Sequence, residues 1–85
     1  MNRPPMLDFH EKLEKVLGAV VREEKLSSEE KKDLTHVART LFLNRHRYRV
    51  VADAFLEKYR ENDRCKRALN AFQNGMKREL SIEGE

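Results

Sequence analysis

Residues 27–44 read SSEEKKDLTHVARTLFLN, and this stretch holds the clearest helix signal in the chain. Ser27 precedes Glu30 by three residues, which is the spacing of a capping box: the serine hydroxyl accepts from the amide of the third residue, and the carboxylate reaches back. The apolar residues that follow recur at helical spacing and form one face. They are Leu34, Val37, Ala38, Leu41 and Phe42. The stretch therefore predicts a helix that ends near Asn44.

Three further apolar faces of the same period lie on either side of this helix. The first runs to about Glu24 and contains Phe9, Leu13, Val16, Leu17 and Val20. The third contains Tyr48, Val51, Ala52, Phe55 and Tyr59. The fourth contains Cys65, Ala68, Leu69 and Phe72. Asn62 or Asp63 is a suitable cap for the fourth helix, and Asn74-Gly75 is typical of a helix end.

Short links between amphipathic helices force them to fold back on each other. We therefore expect an all-α fold, a compact bundle of four to five helices with short loops. A chain of 85 residues is long enough for one domain. Two adjacent prolines predict an extended lead-in over residues 1–6. We expect a single helical interaction domain over 7–80 and a frayed acidic tail over 81–85.

The residues that catalysis or metal binding would need are scattered in this sequence. His10, His36 and His46 lie far apart, outside the short spacings of metal-binding motifs, and there is no Gly-rich phosphate loop. We predict no enzyme activity, no metal and no cofactor. The lone Cys65 favours a reducing compartment, cytoplasmic or nuclear, and neither a membrane span nor a secretory signal is evident.

Positive charge is concentrated in the second half of the chain. The chain carries a net charge of +3, whereas residues 34–78 contain eleven Lys or Arg and four Asp or Glu, a net +7. Arg45, Arg47 and Arg49 form the densest cluster, and Lys66 and Arg67 lie at the start of the fourth helix, where the dipole disfavours cations. Two interpretations remain open, a solvated charged face or contact with an anionic partner.

Several aliphatic residues fall outside the main face of their helix. Leu43, Val50 and Leu56 are examples, and Val50 and Ala54 lie one turn apart on a second face of the third helix. A helix with two apolar faces is either central in the bundle or offers one face to a partner.

The order of these segments resembles the harmonin-homology domain, a five-helix module of scaffold proteins. The resemblance depends on DFHEKL at residues 8–13, LSSEE at 26–30, Val50-Val51 and LNAF at 69–72. The stretch from Val50 to Met76 is also similar to the closing half of paired amphipathic helix domains. Both families are helical hubs that bind an amphipathic partner helix.

The resemblance implies a protein-interaction module that binds an amphipathic helix or short linear motif of a partner in an apolar groove. The residues expected to line the groove are Leu17, Val21, Leu41, Val50, Ala54 and Leu56. The basic residues expected at its rim, where they would attract an acidic partner, are Arg45, Arg47, Arg49, Lys66 and Arg67. Two alternatives remain: self-association into a homodimer, and contact with nucleic acid.

Overall fold

A computed structural model describes the backbone of residues 5–84 and the side chains of residues 8–79. It contains four α-helices: α1 (Pro5–Glu24), α2 (Ser28–Leu43), α3 (Arg45–Lys58) and α4 (Asp63–Gly84). There is no strand within residues 5–84. The predicted all-α bundle is confirmed, with four helices.

Local sequence explains where α2 and α4 begin. The Ser27 hydroxyl accepts from the Glu30 amide at 3.2 Å, and the Glu30 carboxylate accepts from the Ser27 amide at 2.8 Å. The predicted capping box is therefore present. At the start of α4, the side-chain oxygen of Asn62 accepts from the Cys65 amide at 3.1 Å. Each cap satisfies amides that the first helical turn leaves without a carbonyl partner.

α1 ends in a Schellman motif. The amide of Lys25 donates to the carbonyl of Arg22, and the amide of Leu26 donates to the carbonyl of Val21. Lys25 occupies the left-handed region, with φ of 53°, which is the conformation that this motif requires after the last helical residue. The turn reverses the chain within three residues and brings Ser27 into place to start α2.

Three predicted boundaries are wrong. Pro5 and Met6 belong to α1, because a proline is tolerated in the first turn of a helix, where its missing amide has no partner to lose. α4 continues through Asn74-Gly75, which had been predicted as a helix end, and its helical backbone includes residues 81–84 of the expected tail. Residues 1–4 of the expected lead-in, and Glu85, lie outside the described residues.

The helices pack as two antiparallel pairs, α1 with α4 and α2 with α3. The first pair is antiparallel because Lys15 lies beside Glu79 whereas Glu24 lies beside Arg67. All four predicted apolar faces point into one core. Its buried members are Leu13, Leu17, Val20, Leu34, Val37, Ala38, Ala52, Phe55, Cys65, Ala68, Leu69, Phe72 and Met76.

Candidate functional site

Glu30 is the one buried charged residue among the described side chains, and it joins three segments of the chain. Besides its bond to the Ser27 amide, its carboxylate accepts from the Asn62 amide group at 2.8 Å and from the Arg64 guanidinium at 2.9 and 3.0 Å. The Ser27 amide first, and then Arg64, lower the pKa of Glu30 to about 2. Because its oxygens are saturated by donors, this carboxylate acts as a structural link between α2 and α4.

A second carboxylate of α2 is held by α3. The Lys58 ammonium donates to Asp33 at 2.7 Å and lies 3.1 Å from Glu29, and the Tyr59 hydroxyl also donates to Asp33. The hydrogen bond from Lys58, and then that from Tyr59, lower the pKa of Asp33. Burial first, and then the Asp33 carboxylate, raise the pKa of Tyr59 to about 12. The acids of α2 are thus neutralised on the side that faces α3 and α4.

Cys65 lies in the core and close to Glu30. Its side chain has no exposed surface, and burial first, then the negative charge of Glu30, raise the pKa of the thiol to about 11. A thiolate nucleophile needs the opposite setting, an accessible and electropositive one. The geometry favours a packing role for Cys65.

The structure does not bring the six predicted groove residues together. Leu17 is a core residue, 5% exposed, and is therefore unable to face a partner. Val21 and Leu41 are half-buried and pack against the core. Ala54 is exposed on α3, as are Val50 (64%) and Leu56 (37%). α1 and α3 are not among the helix pairs that pack closely.

Val50 and Leu56 also point in different directions. Six residues separate them, and at about 100° per residue their side chains lie about 120° apart around α3. Val50 and Ala54, the pair that the sequence had placed on a second face, are both exposed one turn apart, and Leu56 lies away from them.

The predicted basic rim is divided between internal contacts and solvent. Arg67 pairs with Glu24 at 3.2 Å, Lys66 lies 3.9 Å from Asp63, and the Arg45 guanidinium lies 5.7 Å above the ring of Phe9. Arg47 and Arg49 are exposed at the start of α3. The cations that oppose the dipole of α4 therefore have acidic partners within this chain, and they do not surround an apolar groove.

An apolar cleft does exist, between α1 and α4. It has a volume of about 240 Å³. Its floor consists of small or branched aliphatic residues and its rim of charged ones: Val16, Ala19, Val20, Ala71 and Gly75 form the floor, and Lys15, Glu23, Arg78 and Glu79 form the rim. Gly75 allows α4 to approach α1 closely, since a Cβ at this position would lie 2.6 Å from Val16 Cγ1. We call this feature the α1–α4 cleft.

A second surface lies on the side of α2 that faces away from the core. An open depression of about 520 Å³ runs along one stripe of this helix. The stripe is defined by Ser28, Lys31, Lys32, Thr35, His36 and Arg39, and it contains no acid. We call it the α2 basic face.

Neither surface is among the sites predicted from the sequence. For the α2 basic face a signal was available, because its residues recur at steps of three and one and no acid interrupts them. The α1–α4 cleft left a weaker signal, the small residues Ala71 and Gly75 one turn apart, and Gly75 had been read as part of a helix end. Small residues line a cleft only when a neighbouring helix forms its other wall, and the sequence pattern of one helix does not show which helix lies beside it.

Comparison of the chain with protein-family models, with curated proteins and with solved structures gave no match. The resemblance to the harmonin-homology domain therefore stays a prediction. Among residues 5–84 no helix is long and apolar enough to cross a membrane. Among the side chains of residues 8–79, there is no cluster of three or more His, Cys, Asp or Glu placed to hold a metal ion.

Proposed function

We propose that this domain is a non-catalytic protein-interaction module that binds an amphipathic helix of a partner protein in the α1–α4 cleft. The observation that carries the proposal is the cleft itself, an apolar floor between two antiparallel helices with charges of both signs at its rim. Helical segments bind other proteins by placing apolar residues into such furrows.

The size of the cleft limits what can enter it. An apolar cavity of roughly 150 Å³ holds a benzene molecule, so a cleft of about 240 Å³ has room for roughly two leucine-sized side chains. Ala19, Ala71 and Gly75 keep the floor low, which lets a third helix come close to both walls. The expected partner therefore inserts two aliphatic side chains from neighbouring positions on one helical face.

The charged residues at the rim indicate which charges the two ends of the partner helix carry. Arg78 and Glu23 form no ion pair with the other described residues, and they lie towards opposite ends of the cleft. Lys15, which marks the Arg78 end, precedes Glu23 by eight residues, about 12 Å along α1. We expect the partner to carry an acid near Arg78 and a base near Glu23, with the aliphatic pair between them.

A displayed library of helical peptides tests this proposal. Enriched clones should carry a glutamate, two leucine-like residues three and four positions later, and a lysine at about the eighth position. They should lose at least tenfold in affinity for Ala19→Trp, which fills the cleft, because the inserted side chains have no room. Ala54→Trp adds the same side chain at an exposed site on α3 and should bind as the wild type does.

A charge exchange makes the test independent of packing. The double variant Glu23→Lys with Arg78→Glu should bind weakly to a selected peptide and should regain affinity when the acid and base of that peptide are exchanged. The proposal would be refuted if no clone is enriched, or if the enriched peptides bind Ala19→Trp as tightly as the wild type. A concentration-dependent dimer in sedimentation that Ala19→Trp dissociates would assign the cleft to a second copy of the chain instead.

A further inference from the structure

We infer that the α2 basic face is a binding site for the phosphate backbone of double-stranded nucleic acid, contacted without regard to base sequence. This inference goes beyond the proposed function, because it concerns another surface and another class of ligand. It depends on the way charge is divided between the two sides of α2.

Two of the three acids of α2, Glu30 and Asp33, lie away from the basic face, and the third, Glu29, lies at its edge, three residues before Lys32. Glu29 and Asp33 are held by Lys58, and Glu30 is held by Arg64, on the sides that face α3 and α4. Lys31, Lys32 and Arg39 are exposed, and none of them pairs with an acid among residues 8–79. The ion pairs with Lys58 and Arg64 therefore neutralise the acids of this helix, and the outer side of α2 carries a net positive charge.

The positive surface continues beyond the end of α2. Only Asn44 separates α2 from α3, and the first turn of α3 contains no acid. Arg45 is exposed at this corner, over the ring of Phe9. Ser28 and Arg39 are eleven residues apart, which gives the face a length of roughly 16 Å, about five base pairs of duplex.

The composition of the face favours phosphate over an acidic protein. Protein interfaces depend on apolar or aromatic anchors at their centre and are depleted in lysine. Between Ser28 and Arg39 the face offers only Lys, Arg, His, Ser and Thr, which are typical phosphate contacts. The exposed Leu43 lies beyond its end.

The same composition favours a duplex over a single strand. Proteins that hold single strands stack the bases on aromatic side chains, and the face has no Phe, Tyr or Trp. It also has no Asn or Gln, the residues that read adenine in the major groove. Its Lys and Arg side chains bind guanine as well as phosphate, and we expect them to contact the backbone, at the affinity of sequence-independent binding, with Kd of roughly 10⁻⁴ to 10⁻⁶ M.

Fluorescence anisotropy with a short mixed-sequence DNA duplex tests the inference. Contact through Lys31, Lys32, Arg39 and Arg45 predicts that log K falls with log salt with a slope of about −3.5 between about 50 and 200 mM. The triple variant Lys31→Gln, Lys32→Gln, Arg39→Gln should lose at least tenfold in affinity and retain a slope of about −1. Glutamine keeps a similar helix propensity, so circular dichroism should show an unchanged fold.

A matched control removes the same net charge from other parts of the surface. Lys25, Arg60 and Lys77 are exposed and lie outside α2, and their triple replacement by Gln should lower affinity less than threefold. Equal losses in the two triple variants would overturn the site, because binding would then follow net charge alone. Binding of poly-glutamate as tight as that of the duplex, and lost with the same α2 substitutions, would also overturn it and would assign the face to an acidic protein segment.

Discussion

Gly75 of α4 lies against Val16 of α1 so closely that a methyl group at position 75 would come within 2.6 Å of Val16 Cγ1. A valine in a helix has one strongly preferred rotamer and is unable to turn this methyl group aside cheaply. The contact joins the two longest helices, and it forms part of the floor of the α1–α4 cleft.

We expect Gly75→Ala to destabilise the domain although alanine is the better helix former. Alanine gains about 1 kcal/mol in propensity, whereas overpacking at Val16 costs about 1–3 kcal/mol, for a net loss of about 1 kcal/mol. Gly18→Ala is the control, because its Cβ would meet only a flexible Arg22 side chain at 3.5 Å, and it should gain about 0.5–1 kcal/mol. Urea denaturation measures both changes. Equal gains for the two variants would show that the close contact is not limiting.

Replacing Glu30 by Gln should be among the most damaging conservative changes in the chain. The amide donates where the carboxylate accepts, so the bonds from Ser27 and Arg64 are weakened in a buried position. We expect a loss of about 2–4 kcal/mol in the free energy of unfolding. Glu29→Gln, at an exposed position, should cost less than about 0.5 kcal/mol, since Lys58 keeps Asp33 as a partner. Similar losses for both variants would contradict the linking role of Glu30.

Stability should fall in acid in a way that Glu30 explains. Its pKa is lowered in the folded state from 4.5 to about 2, so the folded state favours the ionised form. The resulting stabilisation is fully present above pH 4.5 and is lost as the pH falls towards 2. It amounts to at most about 3 kcal/mol, and less because Arg64 is partly exposed. Thermal unfolding between these pH values should show a smaller acid dependence in Glu30→Gln than in the wild type.

Lys25→Gly should stabilise the domain. Lys25 adopts a left-handed backbone conformation, with φ of 53°, which carries a strain of about 1 kcal/mol for a residue with a Cβ and none for glycine. We expect a gain of about 0.5–1 kcal/mol in urea denaturation. Lys25→Ala retains the Cβ and should show no such gain. A loss on substitution by glycine would mean that the lysine side chain itself is needed at the end of α1.

The Cys65 thiol should be protected in the folded protein. It is buried, and its pKa is raised to about 11, so at neutral pH both the accessible fraction and the thiolate fraction are small. Labelling with a thiol reagent should follow the rate of unfolding and become fast in denaturant. Fast labelling under native conditions would show that α4 opens locally around this residue.

Much of the fold follows from local signals in the sequence. Apolar residues at helical spacing define the four faces, and Ser27, Glu30 and Asn62 mark helix starts through contacts that span three residues. The sequence by itself therefore determined the all-α class, the start of α2 and most of the core. These features need only neighbours along the chain, whose relative positions the helix geometry already dictates.

Only the tertiary structure decided what the remaining residues do. Asn74-Gly75 carries the composition of a helix end, yet α4 continues through it to bury Met76, and Gly75 leaves room for Val16, 59 positions earlier. Arg64 and Arg67, which oppose the dipole of their own helix, are paired with Glu30 and Glu24 on other helices. Val50 and Leu56 remain apart on the surface of α3. Each of these outcomes depends on which helix lies alongside, and that pairing is set by the packing of the whole core.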